Sequence, residues 1–506
     1  MEIIKPGDSM SGLTSDYELL KISGNLKEDI ALFKEIFKKD AVLRMKQLRV
    51  RSMYEYDCAL FYMDGMVNSE MLNESVVRPL LLVNSERTDI PFADYICEQV
   101  LFASENKTTD NVADMLRAVM YGDTLLIIDG CTDAVTINTK GWKTRSISEP
   151  ENERILEGPR EGFNEAALPN LALIRRKLLT PDFCTEMVRV GKRSETIVFF
   201  CYLDTLVNKK MLGELKKRIA EIDIDGVLDT NYIIEQIRDS RGSLFKTSGT
   251  TERPDVVAAS LLEGRVALIV DGTPVAATVP YLFSENFQSD EDYYLNYTVS
   301  SVGRLLRFIC FFLSVSIPSV FVAATAFHKE LLPTSLALSV TQLRGGVPFP
   351  AVAECILLIF VFEILKETGI RTAQSLGHAL SIVGGLVVGQ AAVEARIISA
   401  PMLIVVALSG IAGLMIPRLK SAVFYMRLIL VILGALFGLY GYIAGITVML
   451  IRIFDLTSFG VSYTVSLSRA DFQSLKDTVL RAPWSKMIKR PLFNRNRVRM
   501  KETVRK

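Results

Sequence analysis

A chain of 506 residues with 49% hydrophobic and 23% charged side chains is too long for a single core and too apolar for a disordered polymer. Its formal charge of +1 argues against bulk electrostatic recognition of nucleic acid. Two histidines, and seven cysteines without a CxxC pair, argue against a metal centre and a disulfide framework, so no metal and no cofactor is expected.

In chain order, residues 1–23 are polar, show no signal peptide and read as a flexible N-terminus. Residues 24–150 and 151–295 then echo one another. "YMDGMVNSEML" from Tyr62 returns as "YLDTLVNKKML" from Tyr202, "YICEQV" from Tyr95 as "YIIEQI" from Tyr232, and "LLIIDG" from Leu125 as "ALIVDG" from Ala267. In each copy, short β-branched and aromatic runs alternate with helical patterns, and an apolar run ending in Asp-Gly marks a strand closed by a tight turn. A soluble N-terminal domain of two tandem-duplicated α/β subdomains is expected. Asp64, Asp204, Asp129 and Asp271 recur at strand ends in both copies, which suits caps or turns better than acid–base chemistry. "EGPREGFNE" (157–165) reads as a linker, since it holds no phosphate-loop pattern. "SDEDYY" (289–294) reads as a solvated acidic face.

Apolar residues gather in 296–455, the expected α-helical integral membrane domain. Uncharged runs cover 308–327, 376–393, 397–417 and 428–451. At 1.5 Å per residue each suits a hydrocarbon layer of roughly 30 Å, giving about four spans. The stretch 350–367 differs, because Glu354 and Glu363 leave an uncharged core of only 355–362. A carboxylate in mid-bilayer costs about 3 kcal/mol, so a short re-entrant or interfacial helix is expected there. Pro318 falls inside the first run and needs a neighbour to satisfy the carbonyl it frees. Arg304 and Arg307 precede the first span, and ten Lys or Arg with one Glu fill 481–506. The positive-inside rule therefore puts the N-terminal domain and a basic tail, 456–506, in the cytoplasm. Four spans satisfy that parity but strand Arg418, Lys420 and Arg427 on the outer face.

Within 376–393, Gly377, Ser381, Gly385 and Gly389 recur at every fourth position. Lipid gives helices no hydrophobic reason to associate, so a small-residue face signals close backbone packing, within the chain or between copies. Gly434, Gly438, Gly441 and Gly445 form a second such face. Gln390 and Glu394 favour a helix that lines something wet. Gly377, Ser381, Gly384, Gly385, Val388, Gly389, Gln390 and Glu394 are the candidate pore or ring-contact positions, and Glu354 and Glu363 the carboxylates of the short helix. No nucleophile–base constellation points to an enzyme. A duplication confined to the soluble part and few spans argue against a secondary transporter.

From about residue 157 to 491 the chain resembles the A subunits of GerA-type spore germinant receptors. The strings that carry this are "EGPREGFNEAALPNLALIRRKL", "EDYY", "GRLLRFICFF", "FHKELLPTSL", "GVPFPA", "FEILKETGIR", "SIVGGLVVGQAAVEA", "LKDTVLRAPWSKM" and "KRP". The chain departs from that pattern after Arg344, where Gly345 and Gly346 replace Glu-Gly. Ile359 stands where a Glu is common, and prolines expected near Ser462 and Val465 are missing. The resemblance implies a subunit in the spore inner membrane, partnered by a transporter-like, nutrient-binding B subunit and a lipoprotein C subunit. It further implies a homo-oligomeric ring, a pentamer, around a nutrient-gated channel that releases monovalent cations to start germination. A non-conducting scaffold that clusters the receptor is the alternative.

Overall fold

The apolar runs before residue 280 build two five-stranded sheets of one topology. The computed structural model describes residues 17, 19–51, 55–82, 92–103, 105–141, 150, 153, 155, 157–240, 242–371, 389–465, 477–487 and 489–490. Strands β1 (Leu43–Arg51), β2 (Glu55–Met63), β3 (Asn106–Thr109), β4 (Thr124–Ile128) and β5 (Ala134–Ile137) lie in the order β1-β2-β4-β5-β3. Strands β6 (Phe183–Val190), β7 (Thr196–Leu203), β8 (Gly249–Thr251), β9 (Val266–Val270) and β10 (Ala276–Val279) lie in the order β6-β7-β9-β10-β8. All pairings are antiparallel, and the register repeats: Leu43 faces Met63 in one sheet as Phe183 faces Leu203 in the other. The duplication is thus visible in strand order as well as in sequence.

Helices cover both faces of each sheet, which is why the central strands are apolar throughout. In the first copy Ala59, Phe61, Leu125 and Ile127 pack against α1 (Leu26–Ile36) and α2 (Val112–Met120), while Cys58, Leu60, Leu126 and Ile128 pack against the helical segment 69–82. The second copy uses α3 (Ala167–Lys177), α4 (Lys209–Ala220), α5 (Thr230–Ile237) and α6 (Pro254–Leu262). There Phe199, Cys201 and Ile269 meet α3 and α6, and Phe200, Leu268 and Val270 meet α4 and α5.

Two of the recurrent aspartates do the same job in each copy. Leu26 N donates to Asp129 Oδ1 (3.1 Å) at the start of α1, and Ala167 N donates to Asp271 Oδ1 (2.9 Å) at the start of α3. Asn68 and Asn208, from the repeated string, cap the next helices by accepting from Glu70 N and Lys210 N. Asp64 and Asp204 instead hold cations: Arg44 for the first, Lys39 and Lys209 for the second. The copies are joined by a buried pair, Arg175 Nη2 to Asp40 Oδ2 at 2.6 Å, with Thr185 Oγ1 donating to the same carboxylate at 2.7 Å. Segment 157–165 caps α3 and docks on the second copy, with Glu161 paired to Lys177 and Phe163 N donating to Glu252 O.

Among the described residues five long helices follow, besides the helical end of a further segment at 389–394: α7 (Tyr297–Ala326), α8 (Thr334–Arg344), α9 (Ala351–Arg371), α10 (Ala400–Leu414) and α11 (Lys420–Asp455). Among the described residues, α7 and the stretch Pro417–Asp455 are long and apolar enough to cross a membrane by length and composition. Three differences from the sequence reading stand out. Helix α9 has 21 residues, longer than the 350–367 stretch. Run 397–417 is an α-helix for only 15 residues, roughly 22 Å.

The third difference is the largest, because run 428–451 reverses at Gly438 (φ 61°, ψ −145°). A Cβ on Gly445 would lie 2.7 Å from side-chain atoms of both Leu430 and Leu433. A straight helix would hold those residues about 18 to 22 Å away. Helix α11 is therefore a hairpin with arms 420–437 and 439–455. Both ends meet the second α/β copy: Arg418 Nη1 donates to Glu285 O (3.1 Å) and Thr457 Oγ1 to Asp239 Oδ2 (3.1 Å). The turn sits beside His328, just past the end of α7.

The bundle buries polar groups within an apolar core and exposes aliphatic side chains. Ser314, Ser319, Ser409 and Arg427 are buried, whereas Ile411, Leu436 and Ile451 are 60%, 62% and 61% exposed. Pro318 has no N–H, so the carbonyl of Ser314 loses its helical partner. Arg427 Nε donates to that oxygen at 2.8 Å, and Arg427 Nη2 donates to Ser409 O at 3.0 Å. Arg427 is thus an internal staple, not the outer-face cation that four spans would make it.

Candidate functional site

Of the candidate ring-contact positions, Gly377, Ser381, Gly384, Gly385 and Val388 lie outside the described residues. The remainder of that segment is helical from Gly389. Gly389 faces α10, where an added Cβ would meet Leu403 at an ordinary 3.6 Å. Gln390 and Glu394 point away from the chain's own bundle. Both are exposed, and Gln390 Nε2 donates to Glu394 Oε1 at 2.9 Å, an i, i+4 pair along one stripe.

The two carboxylates of α9 have separate fates. Glu354 is fully buried, its Oε1 accepting from both the backbone N and the Oγ of Ser399 at the start of α10; Arg344 Nε lies 3.8 Å from its other oxygen. Glu363 pairs with Lys366, one turn on. Farther along, a Cβ on Gly410 would strike the Phe362 ring at 2.5 Å. Helices α9 and α10 therefore run side by side in the same direction. The sequence reading held Glu354 against a membrane-depth helix because its partner, Ser399, is 45 residues away.

A second constellation lies where α7 leaves the α/β domain, and the sequence reading missed it. Asp292, read as part of a solvated acidic face, is 1% exposed. It accepts from Arg304 Nε (2.8 Å) and from Arg307 Nη2 (2.8 Å). Arg304, fully buried, also binds Asp477 Oδ1 at 2.9 Å, and Tyr293 O–H donates to the same carboxylate. Arg481 then fastens the segment beyond, donating to Leu295 O (3.0 Å) and exchanging two bonds with Ser301 Oγ. Burial raises the pKa of Asp292, but the bonds from Arg307 and Arg304 outweigh it and hold the carboxyl below its usual range. The strings "EDYY" and "LKDTVLRAPWSKM" thus meet in one buried ion network. Its sequence signal was their joint presence, with no cue that they touch.

The arrangement offers packing, charge pairing and a polar stripe, and among the described residues no cluster suited to a metal ion. The sequence matches the family model described as Bacillus/Clostridium GerA spore germination protein over residues 31–493. Spore germination protein KA of Bacillus subtilis (strain 168) is 38% identical over 472 residues, 93% of this chain and 87% of that one. YfkQ of the same organism, named as an uncharacterized membrane protein, is 37% identical over 434 residues, 85% of this chain and 84% of its own. The solved N-terminal domain of the A subunit of the Bacillus megaterium spore germinant receptor GerK3 is 30% identical. It aligns with a TM-score of 0.42, covering 52% of this chain and 98% of that domain. A family match across nearly the whole length, with relatives above 30% identity covered almost end to end, makes this chain a member of the GerA family of spore germination proteins.

Proposed function

We propose that the chain is the membrane-embedded A subunit of a spore germinant receptor. In this reading it forms a homo-oligomeric ring, a pentamer, in the spore inner membrane, and the ring conducts monovalent cations when nutrient is sensed. A transporter-like B subunit and a lipoprotein C subunit complete the complex. The observation that carries the ring is the exposed, hydrogen-bonded Gln390–Glu394 stripe. Polar side chains on a membrane helix face protein or water, and among the described residues this stripe packs against no other part of the chain.

The hairpin also removes the parity problem of four spans. Helix α7 leads away from the α/β domain, α9 and α10 both run back toward it, and the two arms of α11 go out and back. That path keeps Arg304, Arg307, Lys366, Arg418, Lys420 and Arg481 on one side, in agreement with the positive-inside rule.

The test is planar-bilayer conductance of the purified chain, wild type against Val388→Ala and Gly385→Leu. Discrete events, altered by Val388→Ala and lost together with the oligomer in Gly385→Leu, are expected. A sized oligomer that never conducts, even with its B and C partners and a triggering nutrient, would make the chain a scaffold.

A further inference from the structure

Arg238, Lys246, Arg418 and Lys420 converge where the second α/β copy meets the helical bundle, and this cluster has no part in the reading above. Two contacts fix the convergence. Phe245, beside Lys246, packs in one apolar cluster with Ile416 and Leu419, which bracket Arg418 and precede Lys420. Thr247 O accepts from Ser458 Oγ at 2.7 Å, while Asp239, next to Arg238, accepts from Phe459 N at 2.7 Å. Residues 238–240 and 242–247 are thereby clamped between the two ends of the α11 hairpin.

The cluster is short of countercharge. Arg418 takes Asp290 at 3.3 Å. Glu153, the other carboxylate within reach of Lys246, is already held by Thr251 Oγ1 and Glu252 N. Arg238, Lys246 and Lys420 make no ion pair among the described residues, and Arg238 Nε is a buried donor without an acceptor. Four cations against two carboxylates leave an excess of two positive charges. Desolvation, together with the like charges of Arg418, Arg238 and Lys420, lowers the pKa of Lys246.

The surroundings suit a ligand that is apolar on one side and anionic on the other. Leu244, Leu414 and Met415 are exposed around the cations. Arg238 also lines a polar cavity of about 210 Å3 with Arg218, Glu221, Ile222 and Gln236. Cations at the cytoplasmic end of a helical bundle, rimmed by exposed aliphatics, are the chemistry that holds the phosphate of an anionic lipid headgroup.

We infer that Arg238, Lys246 and Lys420 form a binding site for the phosphate of an anionic lipid, with the headgroup beyond it entering the Arg238 cavity. The inference rests on the reading that the bundle crosses a membrane. Bound there, the lipid couples the second α/β copy to the start of the hairpin through a group the chain does not itself supply.

The full chain would be reconstituted in vesicles of phosphatidylcholine, alone or mixed with phosphatidylglycerol. Two quantities are read: deuterium exchange of backbone amides 238–247, and phosphatidylglycerol retained after detergent extraction, by native mass spectrometry. Slower exchange in the mixed vesicles and retained lipid are expected. Arg238→Gln, Lys246→Gln and Lys420→Gln should each weaken retention roughly fivefold, and the triple variant on the order of a hundredfold. Arg78→Gln, which breaks an exposed pair with Glu74 in the first α/β copy, should change nothing. Equal retention in wild type and a folded triple variant would overturn the site. Inorganic phosphate giving the same protection without anionic lipid would overturn the lipid assignment in favour of a soluble anion. Wild type that washes off the vesicles in alkaline carbonate would defeat the membrane reading, and this inference with it. Loss of retention with firm membrane integration supports the site alone.

Discussion

Replacing Gly438 by alanine tests the hairpin directly. Its backbone (φ 61°, ψ −145°) lies in a region that residues with a Cβ scarcely occupy, and forcing one there costs about 1–3 kcal/mol. The new Cβ would also sit 2.6 Å from His328 Cε1 and 3.2 Å from Phe327 Cβ, so the imidazole must give way. Overpacking of this kind adds about 1–3 kcal/mol, for a total of about 2–6 kcal/mol and a shift of roughly thirtyfold or more against the closed turn. Leu430→Cys paired with Gly445→Cys provides the readout. A Cβ on Gly445 is 2.7 Å from Leu430 Cδ2, which puts the two Cβ atoms at roughly 5 Å, close to disulfide geometry. Mild oxidation should link the pair in the folded, membrane-bound chain, and Gly438→Ala should slow that link and lower the melting temperature. A folded chain in which the pair never links would refute the hairpin, because a straight α11 holds the two about 22 Å apart.

Asp129→Ala and Asp271→Ala each remove a cap at the first turn of equivalent helices. Each should lower stability by about 1 kcal/mol and by similar amounts, read from thermal unfolding of the full chain. Arg427→Met leaves the Ser314 carbonyl without a donor and should cost about 1–3 kcal/mol in the bundle. Adding Pro318→Ala restores an N–H to that carbonyl, so the double variant should recover part of the loss in a mutant cycle; strict additivity would refute the staple. Asp292 titrates below its ordinary 3.8, so the stability it contributes is complete above that pH and is lost as pH falls through the lower folded value. Protease protection of 477–487 should therefore hold from pH 7 to pH 5 and fail only below about 4, with Asp292→Asn matching wild type at the acid end but not at neutrality.

The duplicated α/β half was readable because its signals are local. Asp129 and Asp271 directly follow their strands at the turn, and the asparagine of each repeated string caps the very next helix. Apolar content likewise marked the helical half. Its path was hidden, since a turn made by one glycine inside a uniformly apolar run leaves no change of period or polarity at Gly438. Glu354 and Arg427 misled for a related reason. A charge in an apolar stretch looks costly until its partner is known, and Ser399, Ser314 and Ser409 are serines that nothing in the sequence ties to those charges. Asp292 and Asp477 show the same gap across 185 positions of chain. The stripe from Gly377 to Val388 remains a sequence-based proposal.

The order of synthesis gives the Arg304 network a further role. A ribosome delivers Asp292 and Arg304 close together, whereas Asp477 emerges 173 residues after Arg304, when the whole helical bundle has already been made. Until then the guanidinium has one carboxylate instead of two and lacks the strap held by Arg481. The junction between the two halves therefore closes only after the helical bundle has been made. A chain that stops short of residue 477 carries an incompletely neutralised arginine at that junction.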